Sequence, residues 1–513
     1  MFDIPELDDM VCTQLSRGDL TQCARVNKTW SRIVVRYIWR HISNLTPLQK
    51  NILAGLIFHD HQTLHHHTPA TADRNQVSCL SRYGPWVQHL DDTFTLLQLL
   101  TSYLNESQPR LVNPTPMDLL RHLLVHCSGL KSMHLRMYDD ETARIVGDTL
   151  PQLQVLILSG SIKLPVVQDI LSKCSAKLKT LVLQFQPLDY LLGREASESN
   201  AEELSGLQRL ELKDCSRRHI STLSCFWKRC ARVETVEITE SDMVFFKHLV
   251  ISIEAHMSSI SVICINITSN LNDNHLASLL SASRVGWKSV EINSSVNLGE
   301  LSLEVLIKHT STLKCLRLPR CLEVEGALLK RILPSCDKLE AFVVLVEPQM
   351  LSMLDAIPTI DAQDFIDLET DSDSLTPWPC EDTLKVLSLE ISADSHPFKG
   401  QSQIYKRLAR FVNLEKLLMR CLFDEYETNG STILYECLEM SLESGLSRLE
   451  GLKKIRVLSV GSLMKVGERE AQWMRDNWPK LREVRGLDKE NKMQAQAGMW
   501  FLMNCPHMNA FAS

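Results

Sequence analysis

The sequence lacks any run of five or six lysines and arginines, and its formal net charge is -7 over 513 residues. That balance leaves no basic footprint for a phosphate backbone, so nucleic acid is not an expected partner. The opening stretch from Met1 to Glu6 meets acidic side chains at once and lacks the basic and apolar regions of a secretory signal. The most apolar long stretch, residues 248–267, is interrupted by Glu254, His256 and several serines, too polar for a membrane span. An intracellular protein, cytoplasmic or nuclear, with no membrane partner, is the expectation. The 16 cysteines include no pair of C-x-x-C elements, which argues against a disulfide framework or a zinc ribbon. Also missing are a phosphate-binding P-loop, a G-x-G-x-x-G fingerprint, an H-E-x-x-H pair and a G-x-S-x-G elbow. Neither an enzyme nor a resident cofactor is expected.

Three short helices are expected in the first forty residues. Pro5 suits a first helical turn, and Leu7, Met10, Val11 and Leu15 recur at helical spacing. Ser16-Arg17-Gly18 breaks that pattern, and Asp19 with Gln22 reads as a capping box opening a second helix lined by Leu20, Cys23, Ala24 and Val26. Trp30, Ile33, Tyr37 and Trp39 line a third. So short a segment cannot enclose its large apolar side chains. It presents them to a partner or packs on the following residues as a cap.

The order Ile4-Pro5-Glu6-Leu7, Leu15-Ser16-Arg17-Gly18-Asp19-Leu20, Cys23-Ala24-Arg25-Val26-Asn27-Lys28-Thr29-Trp30 and Trp39 resembles an F-box. It departs from that family's pattern at Ile4, at Asn27 and at Asp8-Asp9. The resemblance implies docking on a Skp-type adaptor and, through it, a cullin ubiquitin ligase. The contacts it implies are Ile4, Pro5, Leu7, Val11, Leu15, Leu20, Val26 and Trp30.

Residues 46–58 fit a short amphipathic helix, and the His-rich tract 59–67 reads as a flexible loop with no metal site expected. Residues 78–90, including Trp86 to Leu90, read as the first strand of an array.

The dominant signal is a recurring L-x-x-L-x-L with first positions at Leu153, Leu178, Leu207, Val233, Ile260, Trp287, Leu313 and Leu339, roughly 26 residues apart. Further copies start at Leu384 and Leu414, and weaker ones at Leu130, Leu452 and Leu481. In each unit a short strand packs on its neighbours while a helix or loop returns on the outside. Cys127, Cys174, Cys230 and Cys336 precede the strand motif, and Cys215 and Cys321 follow it, all suited to a tight packing layer. The pattern resembles the cysteine-containing leucine-rich repeats of F-box proteins, which implies an α/β leucine-rich-repeat solenoid, or horseshoe, behind the small three-helix F-box.

The expected organisation is an F-box at 1–45, a linker at 46–85, a solenoid at 86–490 and a tail at 491–513. An acidic insertion at about 354–382 interrupts the array, and Trp473, Trp478 and Pro479 read as a terminal cap. Side chains between the motif's apolar positions point away from the core. That nominates Arg209, Glu211, Lys213, Glu237, Glu291, Arg317, Glu390 and Arg420 as target contacts. The expected function is substrate recognition for a Skp–cullin–F-box ubiquitin ligase, with an unidentified target protein. A non-degradative interaction scaffold is the alternative. A repeat-based GTPase activator with a catalytic arginine predicts a bare array and an acidic tail, whereas this chain ends Asn509-Ala510-Phe511-Ala512-Ser513.

Overall fold

In a computed structural model the described residues are 10–42, 47–66, 78–91, 93–107, 114–137, 140–160, 164–174, 176–185, 203–266, 271–293, 298–319, 330–344, 360–361, 376–389, 391–392, 399–419, 438–461 and 464–512. The chain divides into two compact units, Met1–Thr239 and Glu240–Ser513. The division falls inside the array that the sequence reading treats as one body. Among the described residues no helix is long and apolar enough to cross a membrane.

The first unit starts with a helical hairpin, α1 (Arg17–Val26) and α2 (Lys28–Arg40), followed by β1 (His41–Ile42). Ser16, not Asp19, is the N-cap of α1. Its hydroxyl accepts from the Asp19 amide, and the Asp19 carboxylate accepts from the Ser16 amide, both at 3.2 Å. Gly18 therefore lies in the first helical turn and does not break the chain. The one-residue link Asn27 caps α2 by accepting from the Trp30 amide at 2.9 Å.

Next come α3 (Pro47–His66), α4 (Cys79–Tyr83), β2 (His89–Leu90), α5 (Thr93–Ser107) and α6 (Pro116–His126). Two expectations are corrected here. The tract read as a loop is helical as far as His66, since no glycine or proline interrupts α3 after Gly55. Trp86 ends a 3-10 turn, Gly84–Trp86, that Pro85 enforces through its fixed φ. The sheet begins earlier, at β1.

The unit continues with β3 (Ser132–Met137), α7 (Asp140–Thr149), β4 (Val155–Gly160), α8 (Leu164–Cys174), β5 (Thr180–Phe185), β6 (Arg209–Lys213), α9 (Ile220–Trp227) and β7 (Thr235–Thr239). Its strands form a parallel sheet in chain order from β1 to β7. Parallel neighbours require a crossover, and among the described residues helices lie between all of these neighbouring strands but β5 and β6.

The second unit repeats the scheme with β8 (Val262–Asn266), β9 (Ser289–Ile292), β10 (Cys315–Arg317), β11 (Ala341–Val343), β12 (Ile360–Asp361), β13 (Val386–Leu389), β14 (Ile391–Ser392), β15 (Lys416–Met419), β16 (Val457–Ser459), β17 (Glu483–Arg485) and β18 (Asn509–Ala512). All but β12 and β14 line one parallel sheet in chain order, and those two pair with each other. Among the described residues its α-helices are α10 (Met243–His256), α11 (Asp273–Ser281), α12 (Glu300–Ile307), α13 (Lys399–Leu408), α14 (Glu468–Asn477) and α15 (Lys492–Asn504). Residues read as a tail thus form α15 and the last strand, β18, while Trp473 and Trp478 belong to the repeat before it. Apart from Asp361 in β12, the acidic residues from Asp364 to Asp373 lie outside the described residues.

The repeat motif is the core. Every motif position from Leu153 through Met419 is 2% exposed or less. Register stacks like on like, as in Leu156, Leu181, Leu210 and Val236 on successive strands. Each such side chain contributes about 1.5–3 kcal/mol when withdrawn from water, but only when the next repeat covers it. The cysteines fill the layer as expected. Cys127, Cys174, Cys230 and Cys336 are fully buried, and the Cys174 thiol donates to the Leu150 carbonyl at 3.4 Å. Burial pushes the Cys127 and Cys336 thiols up to about 12, so they stay protonated and inert. Cys321 lies outside the described residues.

One carboxylate ties two repeats together. Asp273, in the first turn of α11, accepts from the amides of Gly299 at 2.9 Å, Leu301 at 3.1 Å and Ser302 at 2.9 Å, and from the Ser302 hydroxyl. It thereby satisfies the free N–H groups at the start of α12. A Cβ at Gly299 would come within 2.5 Å of the carboxylate, so only glycine lets the backbone approach. Burial by itself raises the Asp273 pKa, but the Ser302, Gly299 and Leu301 hydrogen bonds outweigh it and hold the group below its ordinary value. With the folded pKa depressed, its stabilisation is present above the unfolded-state value and is lost as pH falls through the folded one. Asp273→Asn is therefore expected to lower the melting temperature at neutral pH, with the variant and parent curves converging in acid. A constant gap across the pH range, measured by calorimetry, would count against this account.

Candidate functional site

Two surfaces are candidates. The first is the hairpin. Its small core holds Cys12, Leu20, Val34 and Tyr37, with Leu15, Cys23, Ala24, Trp30, Ile33 and Ile38 packed against them. All of these lie between Cys12 and Ile38, so this small core is built within the N-terminal segment itself. Its other end does serve as a junction. Trp39 stacks on Tyr83 at 5.5 Å, and Arg40 Nε donates to Gln88 Oε1 at 3.0 Å.

The structure sorts the residues nominated for docking. Val11 and Val26 stand out at 42% and 67% exposure, as does Met10 at 58%. Leu15 and Trp30 are partly buried. Leu20 is only 6% exposed, a correction to its reading as an outward contact, because α1 turns it onto α2. Ile4, Pro5 and Leu7 lie outside the described residues. A groove of about 530 Å³ opens here, lined by Cys12, Thr13, Leu15, Arg17, Leu20, Tyr37, Ile38, Arg40 and His41. Burial, then the neighbouring Arg40 charge, pushes the His41 pKa down. Apolar side chains such as Leu15 and Ile38 beside the Arg17 and Arg40 guanidinium groups suit a segment that carries both apolar and acidic residues.

The second surface is the outward face of the strands. In the first unit Arg209 Nε reaches Glu211 at 2.8 Å and its Nη2 reaches Glu237 at 2.5 Å, while Lys213 lies 3.8 Å from Glu211. Glu211 and Glu237 are register partners, and Arg209 offsets their repulsion. In the second unit Arg317 pairs with Glu291 at 3.9 Å. Glu390 and Arg420 lie outside the described residues. Exposed pairs of this kind contribute only about 0.2–1 kcal/mol each, so a partner's charges can replace them at little cost.

Sequence reading missed a row of charges at the start of the strands. Lys314, Glu340, Lys385 and Glu415 each follow the first apolar residue of a motif, and backbone bonds of 2.7–2.8 Å join successive members. Their side chains alternate in sign, with Glu340 at 2.6 Å from Lys385 and 3.6 Å from Lys314. With Lys338, Asp382, Thr383, Asn413 and Lys454 they line a cavity of about 310 Å³. The Lys385 hydrogen bond depresses the Glu340 pKa. The signal was present at one fixed motif position, but it emerges only when the repeats are stacked.

Among the described residues, the set able to hold a metal ion is Asp60, His122 and His126, on α3 and α6. It belongs to neither surface.

No protein-family profile matches the chain, and no curated protein matches it in sequence. Among solved structures, a chain of the complex of Rad7 and Elc1 in yeast is similar, at 13% identity and a TM-score of 0.37. The likeness spans 86% of this chain and 90% of that one. So loose a likeness bears on neither site nor partner.

Proposed function

We propose that the chain is a non-catalytic adaptor: the hairpin docks a Skp-type subunit of a cullin ubiquitin ligase, and the strand faces select a target protein. The observation that carries this reading is that the N-terminal segment closes a small core around Cys12, Leu20, Val34 and Tyr37 while leaving Met10 and Val11 before the hairpin, and Val26 on it, exposed. Exposed apolar side chains on an element with the F-box residue order are what a docking helix pair requires. The adaptor contributes proximity, raising the effective concentration of target at a ligase whose bond chemistry occurs on other subunits.

Affinity purification of the full chain, compared with Val11→Asp/Val26→Asp, tests the reading. Both positions are exposed, and surface changes of this kind shift stability by about 0.5 kcal/mol or less. The expected result is loss of the Skp-type adaptor and cullin with retention of a further bound protein. Undiminished capture of the adaptor would overturn the docking assignment and leave the scaffold reading. Arg209→Glu/Glu237→Lys is expected to show the converse, keeping the adaptor and losing the target.

A further inference from the structure

We propose that Asp60, His122 and His126 bind a single zinc ion that staples α3 to α6. The two histidines are four residues apart, one helical turn, so both rings leave the same face of α6. Asp60 meets them from α3, with its Oδ2 at 3.3 Å from His122 Nε2. The donor atoms of all three residues lie within 4.8 Å of one another. Zinc bonds of 2.0–2.1 Å in a tetrahedron set donor atoms about 3.4 Å apart, so the closest pair already has that spacing.

Neighbouring groups orient the donors as metal sites require. Asp60 Oδ2 accepts from the Ser78 hydroxyl at 2.5 Å, and Oδ1 accepts from the Cys79 amide at 2.9 Å. Ser81 Oγ lies 3.4 Å from His126 Nδ1, which leaves His126 Nε2 for the cation. Supporting hydrogen bonds of this kind fix ring and carboxylate orientation around bound metals. Asp60 is 7% exposed and the His122 side chain 10%. A carboxylate withdrawn from water to that degree gains from a facing cation. Two imidazoles and a carboxylate form a nitrogen–oxygen donor set suited to zinc, with the fourth position open to water. The site joins helices on either side of the second strand, so its role is to lock the start of the array.

The His-rich tract that ends α3 is the competing binder, and the test separates the two. The full chain, stripped with a chelator, is dialysed against zinc chloride, its bound metal is measured, and its melting temperature is recorded with and without zinc. One zinc per chain and a zinc-dependent rise in melting temperature are expected. His122→Ala abolishes both the bound zinc and the zinc-dependent rise, and His126→Gln on the partly buried ligand gives the same reading should His122→Ala not fold. Ser78→Ala weakens binding about 10-fold or more. His65→Ala/His66→Ala/His67→Ala binds as the parent does. Zinc that survives in the His122 and His126 variants but vanishes in the tract variant overturns the proposal, as does the absence of saturable binding in the parent.

Discussion

Glu381→Ala is expected to destabilise the second unit by about 3–5 kcal/mol, because it strands a buried charge. The Arg407 side chain is fully buried, and its Nη1 donates to Glu381 Oε1 at 3.3 Å and to the Thr376 carbonyl. Its guanidinium lies 4.3 Å from the centre of the Trp378 ring. Glu381 also accepts from Arg410 Nε at 2.8 Å and from the Trp378 amide at 3.0 Å. Removing the carboxylate breaks its bonds to Arg407, Arg410 and the Trp378 amide and takes a negative charge from beside the buried guanidinium. The double variant Glu381→Leu/Arg407→Met is expected to regain most of the loss, since a matched apolar pair needs no desolvation. Urea unfolding followed by tryptophan fluorescence measures both. A loss of less than about 1 kcal/mol in the single variant would show that water reaches Arg407.

Trp287→Ala is the second large effect, with an expected loss of about 3–5 kcal/mol from the cavity it opens. Trp287 occupies the first motif position, where most repeats carry leucine, and it is fully buried. Its Nε1 donates to the Leu280 carbonyl at 2.8 Å, and its own carbonyl accepts from Thr312 Oγ1 at 2.9 Å. The preceding Gly286 has φ +82, and a Cβ there would meet Thr312 Oγ1 at 2.7 Å, so the chain cannot shift to refill the space. Trp287→Leu restores the motif residue and is expected to lose less. His309 Nε2 still lies 2.9 Å from the Leu280 carbonyl in that variant, so the acceptor is not orphaned. Equal losses in the two variants would mean that the indole hydrogen bond, not volume, sets the stability of this repeat.

The repeat was legible because a parallel strand in this array is specified by three nearby apolar positions and by neighbours of the same kind. Leu207, Leu210 and Leu212 are each 0% exposed as the motif requires. The outward direction of Arg209, Glu211 and Glu237 follows from the same alternation. The hairpin was legible in part. Its helices lie near the expected places, but whether Leu20 faces out or in depends on how α1 rotates against α2, and helical spacing alone fits either. The tail was misread because α15 carries apolar residues on several sides, with Trp500 and Phe501 buried and Met499 and Met503 exposed, which blurs the periodicity.

By itself, the sequence determined where the strands of the regular repeats fall, which residues fill their cores and that cysteines line the packing layer. These features depend only on residues a few positions apart and on an identical neighbour. The tertiary structure alone decided that Asp60 meets His122 and His126, that alternating charges line up across strands, and that the chain divides at Thr239–Glu240. Each of those depends on how separate helices and repeats are set against one another, and that rests on packing summed over many side chains, which no local pattern records.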